Sequence, residues 1–237
     1  MNFEAILHSW RGGLIVSCQA DSGSPLAKPE IIAAMAQVAE AHGASGVRIS
    51  GTDNVKAVKE ATKLPILGIE KQVTPGSEVY ITPTFDSAQR IARSGAAIIA
   101  LDATDRPRPG GESLKELVAK LKAELKVPLM ADVATFAQGV KAVEELGFEL
   151  VSTTLSGYTK ETLNNGHADF QLVEQLARRL AVPIICEGRL RSPEDVTRAF
   201  NCGAYTVVVG AAITGIDWLV RKYVAATPQG WANCQQK

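Results

Sequence analysis

"VPIICEGRLRSPEDVTRAFNCGAYTVVVG", residues 182–210, contains one complete repeating unit of the fold that the sequence predicts. Two short apolar runs lie at its ends, and each has the length and β-branched content of a buried strand. The segment between them carries helix signals. Ser192 suits the N-cap, Pro193 suits the first helical position, and Gly203 suits the residue that follows a helix. The stretch therefore predicts a strand, a helix and a second strand.

The same unit recurs along the chain. The predicted strands lie at 13–19, 46–50, 64–71, 96–104, 127–133, 148–155, 182–188 and 204–210. The predicted helices lie at 28–43, 54–63, 85–95, 111–125, 135–147, 169–180, 192–203 and 211–226. Eight strands and eight helices thus follow one another in strict alternation.

Strands as apolar as these must be covered on both faces, which indicates a parallel sheet coated by helices. Eight such units in 237 residues predict an α/β fold, a single-domain (β/α)₈ TIM barrel over residues 1–237. An open, doubly wound sheet is the alternative, but no GxGxxG fingerprint follows the first strand. The polar, aperiodic tail from about residue 227 is expected to be loose.

The composition excludes several classes of protein. Lys plus Arg and Asp plus Glu each total 25, so the chain lacks the basic excess of a nucleic-acid binder. No apolar run has membrane-spanning length, and residues 1–20 lack the pattern of a secretory signal. The cysteines are Cys18, Cys186, Cys202 and Cys234. Their scattered positions indicate reduced thiols and a cytoplasmic location.

In a (β/α)₈ barrel the reacting groups lie at the carboxyl ends of the strands. The polar residues predicted at these ends are Gln19, Arg48, Lys71, Asp102, Asp132 and Glu187. A barrel mouth needs some polar side chains for solvation, but two cations and three anions exceed that need. The pattern therefore predicts a functional site at this end of the barrel.

Gly188 and Gly210 follow the seventh and eighth strands, where such barrels commonly bind phosphate. A residue without a side chain lets backbone N–H groups approach phosphate oxygens, and Arg189 adds a charged donor. The alternative is that both glycines merely end their strands. Because Arg189 lies next to Gly188, a phosphate site and the simple ending of two strands are equally good interpretations.

Lys71 and Glu187 are the candidates for proton chemistry. A lysine that follows an apolar strand into a barrel mouth loses its proton more easily, and it can then act as a base or form a Schiff base. Asp132 has two interpretations, a supporting hydrogen bond within the site or a cap on the following helix.

The loop at 105–112 is rich in Pro and Gly. It either closes over the site or forms a plain turn. Asp102 can pair with an arginine of this loop, Arg106 or Arg108, instead of serving the site.

No metal site and no cofactor are expected. His8, His42 and His167 lack the spacing of metal ligands and are predicted to lie at the surface or at helix caps. The sequence also lacks a fingerprint for a nicotinamide cofactor.

Nine motifs between the first strand and the last helix identify a family. They are GGLIVSCQA, SPLAKPEIIAAMA, LPILGIEK, VYITPT, IIALDATDRPRP, MADVAT, VSTTLSGYT, ICEGR and VVVGAAIT. In these motifs the chain closely resembles the bacterial N-acetylmannosamine-6-phosphate 2-epimerase family over nearly its whole length. The resemblance implies an enzyme that interconverts N-acetylmannosamine 6-phosphate and N-acetylglucosamine 6-phosphate, in the catabolism of sialic acid and N-acetylmannosamine.

The resemblance also implies a mechanism and partners. The C2 proton is removed and a proton is returned to the other face, which needs no redox cofactor. The expected partner is a sugar phosphate, with no nucleic acid and no membrane, and a homodimer is compatible with the sequence. The implied residues are Lys71 and Glu187 for proton transfer, Gln19, Arg48 and Asp132 for the sugar, and Gly188, Arg189 and Gly210 for the phosphate.

The chain departs from the family pattern at Ile49, Ser50, Glu70 and Gln72. The last two flank Lys71, where the family usually has an apolar residue and an arginine. Two alternative functions are a barrel that binds a phosphosugar without turnover and another phosphate-binding barrel epimerase. A ribulose-phosphate epimerase, as an example of the latter, would have metal-ligating histidines at its strand ends, and these are missing.

Overall fold

A computed structural model describes residues 2–229 and contains a closed parallel barrel. The strands are β1 (Leu14–Cys18), β2 (Gly46–Ser50), β3 (Ile66–Ile69), β4 (Ile98–Asp102), β5 (Leu129–Asp132), β6 (Leu150–Ser152), β7 (Ile184–Glu187) and β8 (Thr206–Val209). Each strand pairs in parallel with the next one along the chain, and β8 pairs with β1. The predicted (β/α)₈ barrel is confirmed.

One helix precedes the first strand, and the other helices follow the strands around the outside of the barrel. The helices are α1 (Phe3–Trp10), α2 (Pro29–Ala41), α3 (Thr52–Ala61), α4 (Phe85–Arg93), α5 (Leu114–Glu124), α6 (Phe136–Glu144), α7 (Phe170–Arg179), α8 (Pro193–Asn201), α9 (Ala211–Thr214) and α10 (Ile216–Ala225). A short 3₁₀ helix, Pro109–Gly111, lies in the loop between β4 and α5.

Two helical features differ from the sequence prediction. The alternation of strands and helices does not predict α1, which begins after the N-cap Asn2 and buries only Ile6 and Trp10. The single helix predicted at 211–226 is interrupted at Gly215, whose ψ angle of 63° is not helical. Most of the tail that is predicted to be loose, including Cys234, lies outside the described residues.

Alternate residues of the strands face two different cores, as the pleat of a strand requires. Outward-facing residues pack against the helices. The inward-facing apolar residues fill the barrel and are Ile15, Leu67, Ile69, Ile98, Ala100, Met130, Leu150, Ile185 and Val208. Ile6 and Trp10 belong to the same inner cluster. Trp10 lies against Gly46, the first residue of β2, so α1 closes the amino-terminal end of the barrel.

Toward the carboxyl ends of the strands, the inward-facing positions change from apolar to polar. These positions are Ser17, Arg48, Asp102, Asp132, Ser152 and Glu187. All of them except Glu187 are buried, and Glu187 is partly buried. The change places a layer of charged and hydroxyl side chains directly above an apolar interior.

A glycine in β3 allows α4 to pack closely against the strand. A Cβ atom at Gly68 would come within 2.5 Å of both Ile91 and Ala96, which leaves no room for a side chain. The segment that leads to Lys71 is therefore held directly against its helix.

Cys18 and Cys186 are buried in the apolar layer between strands and helices. Burial raises the pKa of each thiol to about 12, so both remain protonated near neutral pH. Among residues 2–229, no helix is long and apolar enough to cross a membrane.

Candidate active site

A cavity of about 520 Å³ opens at the carboxyl ends of the strands. It brings together seven of the eight residues that the sequence predicts for the site, namely Gln19, Arg48, Lys71, Glu187, Gly188, Arg189 and Gly210. The eighth, Asp132, is fully buried and contacts Arg48 from behind. Lys71 and Glu187 follow β3 and β7, which lie opposite each other in the ring of eight strands.

Arg48 is the central charged group of this layer. It lies in the middle of β2, and its side chain is 1% exposed. Its Nη2 and Nη1 atoms donate to Asp132 Oδ2 at 2.6 Å and to Asp132 Oδ1 at 3.2 Å, and Nη1 also donates to Glu187 Oε2 at 2.7 Å. Burial alone would lower the pKa of Arg48, but the charges of Asp132 and Glu187 outweigh it and raise the pKa. The guanidinium is therefore a permanent cation.

The two aspartates at the ends of β4 and β5 have supporting positions. Asp132 accepts hydrogen bonds from Arg48 and does not cap α6, whose N-cap is Thr135. Asp102 forms an ion pair at 2.6 Å with Arg106 of its own loop. Arg108 donates to the backbone oxygen of Asp102 instead of to its carboxylate.

Glu187 combines burial with contact to the cavity. Burial raises the pKa of its carboxyl group to about 7, and the negative charge of Asp132 acts in the same direction. The charge of Arg48, a hydrogen bond from Thr154 and the charge of Lys71 oppose this rise. The Thr154 hydroxyl lies 3.1 Å from Glu187 Oε2 and 2.8 Å from Asp132 Oδ1. Glu187 can therefore bind or release a proton near neutral pH.

Lys71 reaches the cavity from the opposite side. Its side chain is exposed to the open cavity, but the protein atoms around it still remove water from its ammonium group. This desolvation and the positive charge of Arg48 lower the pKa of Lys71, against the charges of Glu187, Asp21 and Asp132. The neutral amine is thus more accessible than in an ordinary surface lysine.

The two unusual neighbours of Lys71 face away from the chemistry. Glu70 forms two hydrogen bonds with Arg90 of α4, at 3.1 and 3.2 Å. The backbone N–H group of Gln72 donates to Tyr80 O at 2.9 Å. Neither Glu70 nor Gln72 lines the cavity. These departures therefore leave the wall around Lys71 unchanged.

Gln19 lies beside the end of β1 and also lines the cavity. Its Nε2 atom donates to Ser17 Oγ at 2.8 Å, which fixes the amide plane. Its Oε1 atom is buried and has no hydrogen-bond partner among residues 2–229. An unpaired buried acceptor is costly, so this oxygen is a candidate to accept a hydrogen bond from a bound molecule.

The loops after β7 and β8 have the backbone geometry that the glycines predict. Gly188 has a φ angle of 104°, a conformation that other residues rarely adopt. Gly210 is the N-cap of α9, and its carbonyl oxygen accepts from the N–H groups of Ile213 and Thr214, which leaves those of Ala211 and Ala212 without an intrahelical acceptor. Arg189 Nη1 and Nη2 donate to Ser156 O at 2.9 Å and Gly157 O at 2.6 Å.

The cavity residues that are not among the predicted site residues include Thr154, Tyr158 and Tyr80. Thr154 and Tyr158 belong to the polar run that follows β6, and their position at a strand end was the available signal. The guanidinium of Arg189 lies 4.0 Å from the centre of the Tyr158 ring. Tyr80 lies on the loop between β3 and α4, far from any strand end in sequence, so no comparable signal identifies it.

The three histidines lie apart from one another in the structure. His8, His42 and His167 are exposed and belong to α1, the end of α2 and the loop before α7. Among the residues that the structure describes, no three His, Cys, Asp or Glu side chains are grouped to hold a metal ion.

Comparisons with known proteins agree on one family. A protein-family model described as "Putative N-acetylmannosamine-6-phosphate epimerase" matches residues 32–229. Proteins named "Putative N-acetylmannosamine-6-phosphate 2-epimerase" are 49% identical in Thermosynechococcus vestitus (91% of this chain, 93% of that protein) and 44% identical in Clostridium perfringens (90% and 96%). A solved structure of the C. perfringens N-acetylmannosamine-6-phosphate 2-epimerase has a TM-score of 0.89 and 42% identity, covering 94% of this chain and 96% of that one.

The stability of the protein should depend on pH through Glu187. Because its pKa rises from 4.5 to about 7 on folding, the folded protein holds this proton more tightly than the unfolded chain does. The free energy of unfolding of the parent should therefore fall as the pH rises from 4.5 to about 7, relative to a Glu187→Gln variant that cannot ionise. Urea unfolding of both proteins across this pH range measures the difference.

Glu116→Gln is the control, because hydrogen bonds from Ser113 lower the pKa of Glu116. Here the parent should gain stability relative to the variant as the pH rises. This gain should occur at pH values below 4.5. A difference between the parent and Glu187→Gln that is constant with pH, or that has the sign of the control, would contradict the raised pKa of Glu187.

Proposed function

Because the chain belongs to the N-acetylmannosamine-6-phosphate epimerase family, we propose that it interconverts N-acetylmannosamine 6-phosphate and N-acetylglucosamine 6-phosphate. We place this reaction in the catabolism of sialic acid and N-acetylmannosamine. The observation that carries the proposal is that Lys71 and Glu187 line one cavity from opposite sides of the barrel. Two groups that can carry protons thus face a bound molecule from two directions.

Inversion at C2 of a 2-acetamido sugar phosphate requires loss of one proton and gain of another on the opposite face. In the open-chain form, the C1 aldehyde acidifies the C2–H bond, and deprotonation moves the electron pair toward O1 as an enolate. Neutral Lys71 takes the proton from one face, and protonated Glu187 returns a proton to the other. In the reverse reaction the two residues exchange roles. The pKa of Lys71 is lowered and that of Glu187 is raised to about 7, which suits both tasks.

Arg48 has a positioning role in this mechanism. Its hydrogen bond at 2.7 Å fixes one oxygen of Glu187, and Asp132 in turn fixes the guanidinium. The other carboxylate oxygen remains available to the substrate. The positive charge of Arg48 also keeps the ionised form of Glu187 accessible, which proton return requires in every turnover.

The phosphate group, in this proposal, binds at the ends of β7 and β8. Gly188 and Gly210 leave the backbone uncovered there, and the first turn of α9 presents N–H groups. Arg189 uses two of its five N–H donors on the carbonyl oxygens of Ser156 and Gly157. Its remaining donors and its charge are available to an anion in the cavity.

No observation favours the alternative of a barrel that binds a phosphosugar without turnover. Its support in the sequence is the pair Glu70 and Gln72, and neither residue lines the cavity. We also infer a cytoplasmic location, which the unpaired thiols of Cys18, Cys186 and Cys202 support.

Replacing Lys71 by alanine should abolish epimerisation. General acid–base groups typically contribute about 10²- to 10⁴-fold to a rate, so the variant should lose at least that much. In D₂O the parent should form product with deuterium at C2, because the removed proton exchanges with solvent, and the variant should not. Product formation from N-acetylmannosamine 6-phosphate, with mass spectrometry of the product, measures both effects.

Lys160→Ala is the matched control, since Lys160 is an exposed lysine that pairs with Glu78 at 2.7 Å. It should retain parental activity. A folded Lys71→Ala protein that epimerises at a near-parental rate would contradict the role of the lysine. A parent that binds the sugar phosphate and forms no product would instead support the non-catalytic alternative.

Loss of the phosphate contact should mainly weaken binding. N-acetylmannosamine without its phosphate should be a very poor substrate, and Arg189→Ala should raise KM for the phosphorylated sugar. Removing one charged anchor typically costs about 2–5 kcal/mol when its partner charge stays buried. Steady-state kinetics with both sugars measure the effect, with Arg178→Ala on the exposed side of α7 as the control. Unchanged binding by Arg189→Ala would show that the phosphate lies elsewhere.

We also propose that the protein is a homodimer. Among the described residues 2–229, no residue of helix α10 is buried. Its exposed apolar residues, together with one from α9, form an apolar stripe of Ile213, Ile216, Val220, Tyr223 and Val224. Exposed patches of this kind mark protein interfaces. A second copy of the chain is a partner that is present wherever the protein is made. The zero net charge adds no overall repulsion between copies.

A Val220→Asp variant should be monomeric, because a carboxylate in the centre of the apolar stripe would lose its water on association. Light scattering after size-exclusion chromatography should give twice the chain mass for the parent and the single mass for the variant. Val38→Asp is the control, since Val38 is an exposed valine on α2 outside the stripe. A monomeric parent, or a Val220→Asp variant that stays dimeric, would contradict this interface.

A further inference from the structure

Tyr80 presents a hydroxyl group that forms no hydrogen bond with any of the residues that the structure describes. Its side chain lines the cavity beside Lys71 and Arg48 and is half-buried. Within residues 2–229 its hydroxyl forms no hydrogen bond, whereas that of Tyr205, at the other end of the barrel, donates to Leu7 O at 2.8 Å. A phenol on a cavity wall without a protein partner is free to donate to a bound molecule.

The backbone around Tyr80 is tied to the backbone around Lys71. Lys71 pairs with Ile81 in an antiparallel bridge. The N–H group of Gln72 donates to Tyr80 O at 2.9 Å, and the N–H group of Thr82 donates to Glu70 O at 2.8 Å. The chain from 70 to 82 is thus a hairpin that carries both side chains to the same cavity.

The loop after β4 braces this hairpin from outside. Arg108 is buried and donates to Pro83 O at 3.1 Å, and it also donates to the backbone oxygen of Asp102. The N–H group of Asp102 in turn donates to Ile81 O at 3.0 Å. A buried arginine thereby joins the end of β4 to the end of the hairpin. These hydrogen bonds hold the backbone on both sides of Tyr80 in place.

The charge state of Tyr80 suits a donor. Burial raises the pKa of the phenol, and the negative charge of Asp132 raises it further, against the positive charge of Arg106. The group is therefore protonated throughout the neutral pH range. It can donate a hydrogen bond without carrying a charge of its own.

The barrel geometry indicates which part of the substrate Tyr80 meets. The hairpin follows β3, and the proposed phosphate site follows β7 and β8, on the opposite side of the ring. A sugar held by its phosphate on C6 must extend across the cavity, so that its C1 end approaches Lys71 and Tyr80. We infer that Tyr80 is a further catalytic residue, whose hydroxyl donates a hydrogen bond to O1 of the open-chain sugar when C2 loses its proton. This inference rests on the proposed epimerase function.

The movement of the proton and the electron pair in this step defines the role of the Tyr80 hydrogen bond. The C2–H bond breaks, its proton goes to Lys71, and its electron pair forms the C1–C2 double bond while O1 takes the negative charge. Tyr80 keeps its proton and only shares it with O1. Because this charge exists in the transition state and not in the bound aldehyde, the hydrogen bond should lower the barrier more than it strengthens binding.

The test is Tyr80→Phe, which removes only the hydroxyl oxygen. Its kcat for N-acetylmannosamine 6-phosphate should fall about a hundredfold, as is typical when one donor to a developing oxyanion is removed. Its KM should change by less than about threefold, because ground-state binding is retained. Incorporation of deuterium at C2 in D₂O should slow by the same factor as kcat.

Tyr205→Phe is the matched control, since it removes a tyrosine hydroxyl from the opposite end of the barrel. It should unfold at a lower temperature than the parent and keep the parental kcat. Thermal unfolding of Tyr80→Phe should match the parent, so that the loss of rate is not a loss of folded protein.

The outcomes separate this inference from the proposed function. An active parent with an equally active Tyr80→Phe variant would overturn the role of Tyr80 alone. A rise in KM with unchanged kcat would also overturn it, because the hydroxyl would then contribute to ground-state binding only. A parent without epimerase activity would overturn the proposed function and this inference together.

Discussion

The ion pair between Arg48 and Asp132 is the constraint on which the polar layer of the barrel depends. A guanidinium that is 1% exposed cannot remain in the interior without charged partners. Removing an isolated charge from water costs far more free energy than a single substitution typically changes. Asp132 accepts two hydrogen bonds from Arg48, and Glu187 accepts a third. Strands β2, β5 and β7 must therefore present these three groups to one another, which fixes the level of the barrel at which the cavity begins.

The same arrangement explains why Glu187 and Asp132 differ. Asp132 is held by two guanidinium donors and lies away from the cavity, so its carboxylate is committed to Arg48. Glu187 receives a single guanidinium donor and a hydrogen bond from Thr154, and it remains open to the cavity. Burial and the neighbouring Asp132 then raise its pKa to about 7. In the proposed mechanism, one cation thus binds a structural carboxylate and a chemically active one.

Local sequence signals predict much of the barrel, but they do not predict which charged side chains pair within it. Helix starts such as Ser192 and apolar strands are local, so the alternation and the strand ends are predictable. The contact of Arg48 with Asp132 joins residues 84 positions apart, and the sequence alone indicated only that both face the mouth. The break at Gly215 and the position of α1 depend on packing against the barrel. Tyr80 could not be identified because a hairpin, not a strand, delivers it to the cavity.

In the proposed mechanism, Lys71 and Glu187 are two proton carriers that exchange their protonation states in each turnover. With ordinary values of 10.5 for lysine and 4.5 for glutamate, the proton would remain on the amine, and one direction of the cycle would stall. The protein narrows this gap from both sides. Desolvation and Arg48 lower the pKa of Lys71, and desolvation and Asp132 raise the pKa of Glu187. Arg48 destabilises the charged lysine and stabilises the charged glutamate, so it increases the neutral fraction of Lys71 and limits how far the pKa of Glu187 can rise. After desolvation it is the largest influence on both pKa values, so in the proposed mechanism the position of this guanidinium, which Asp132 holds, contributes to the balance between the two directions of proton transfer.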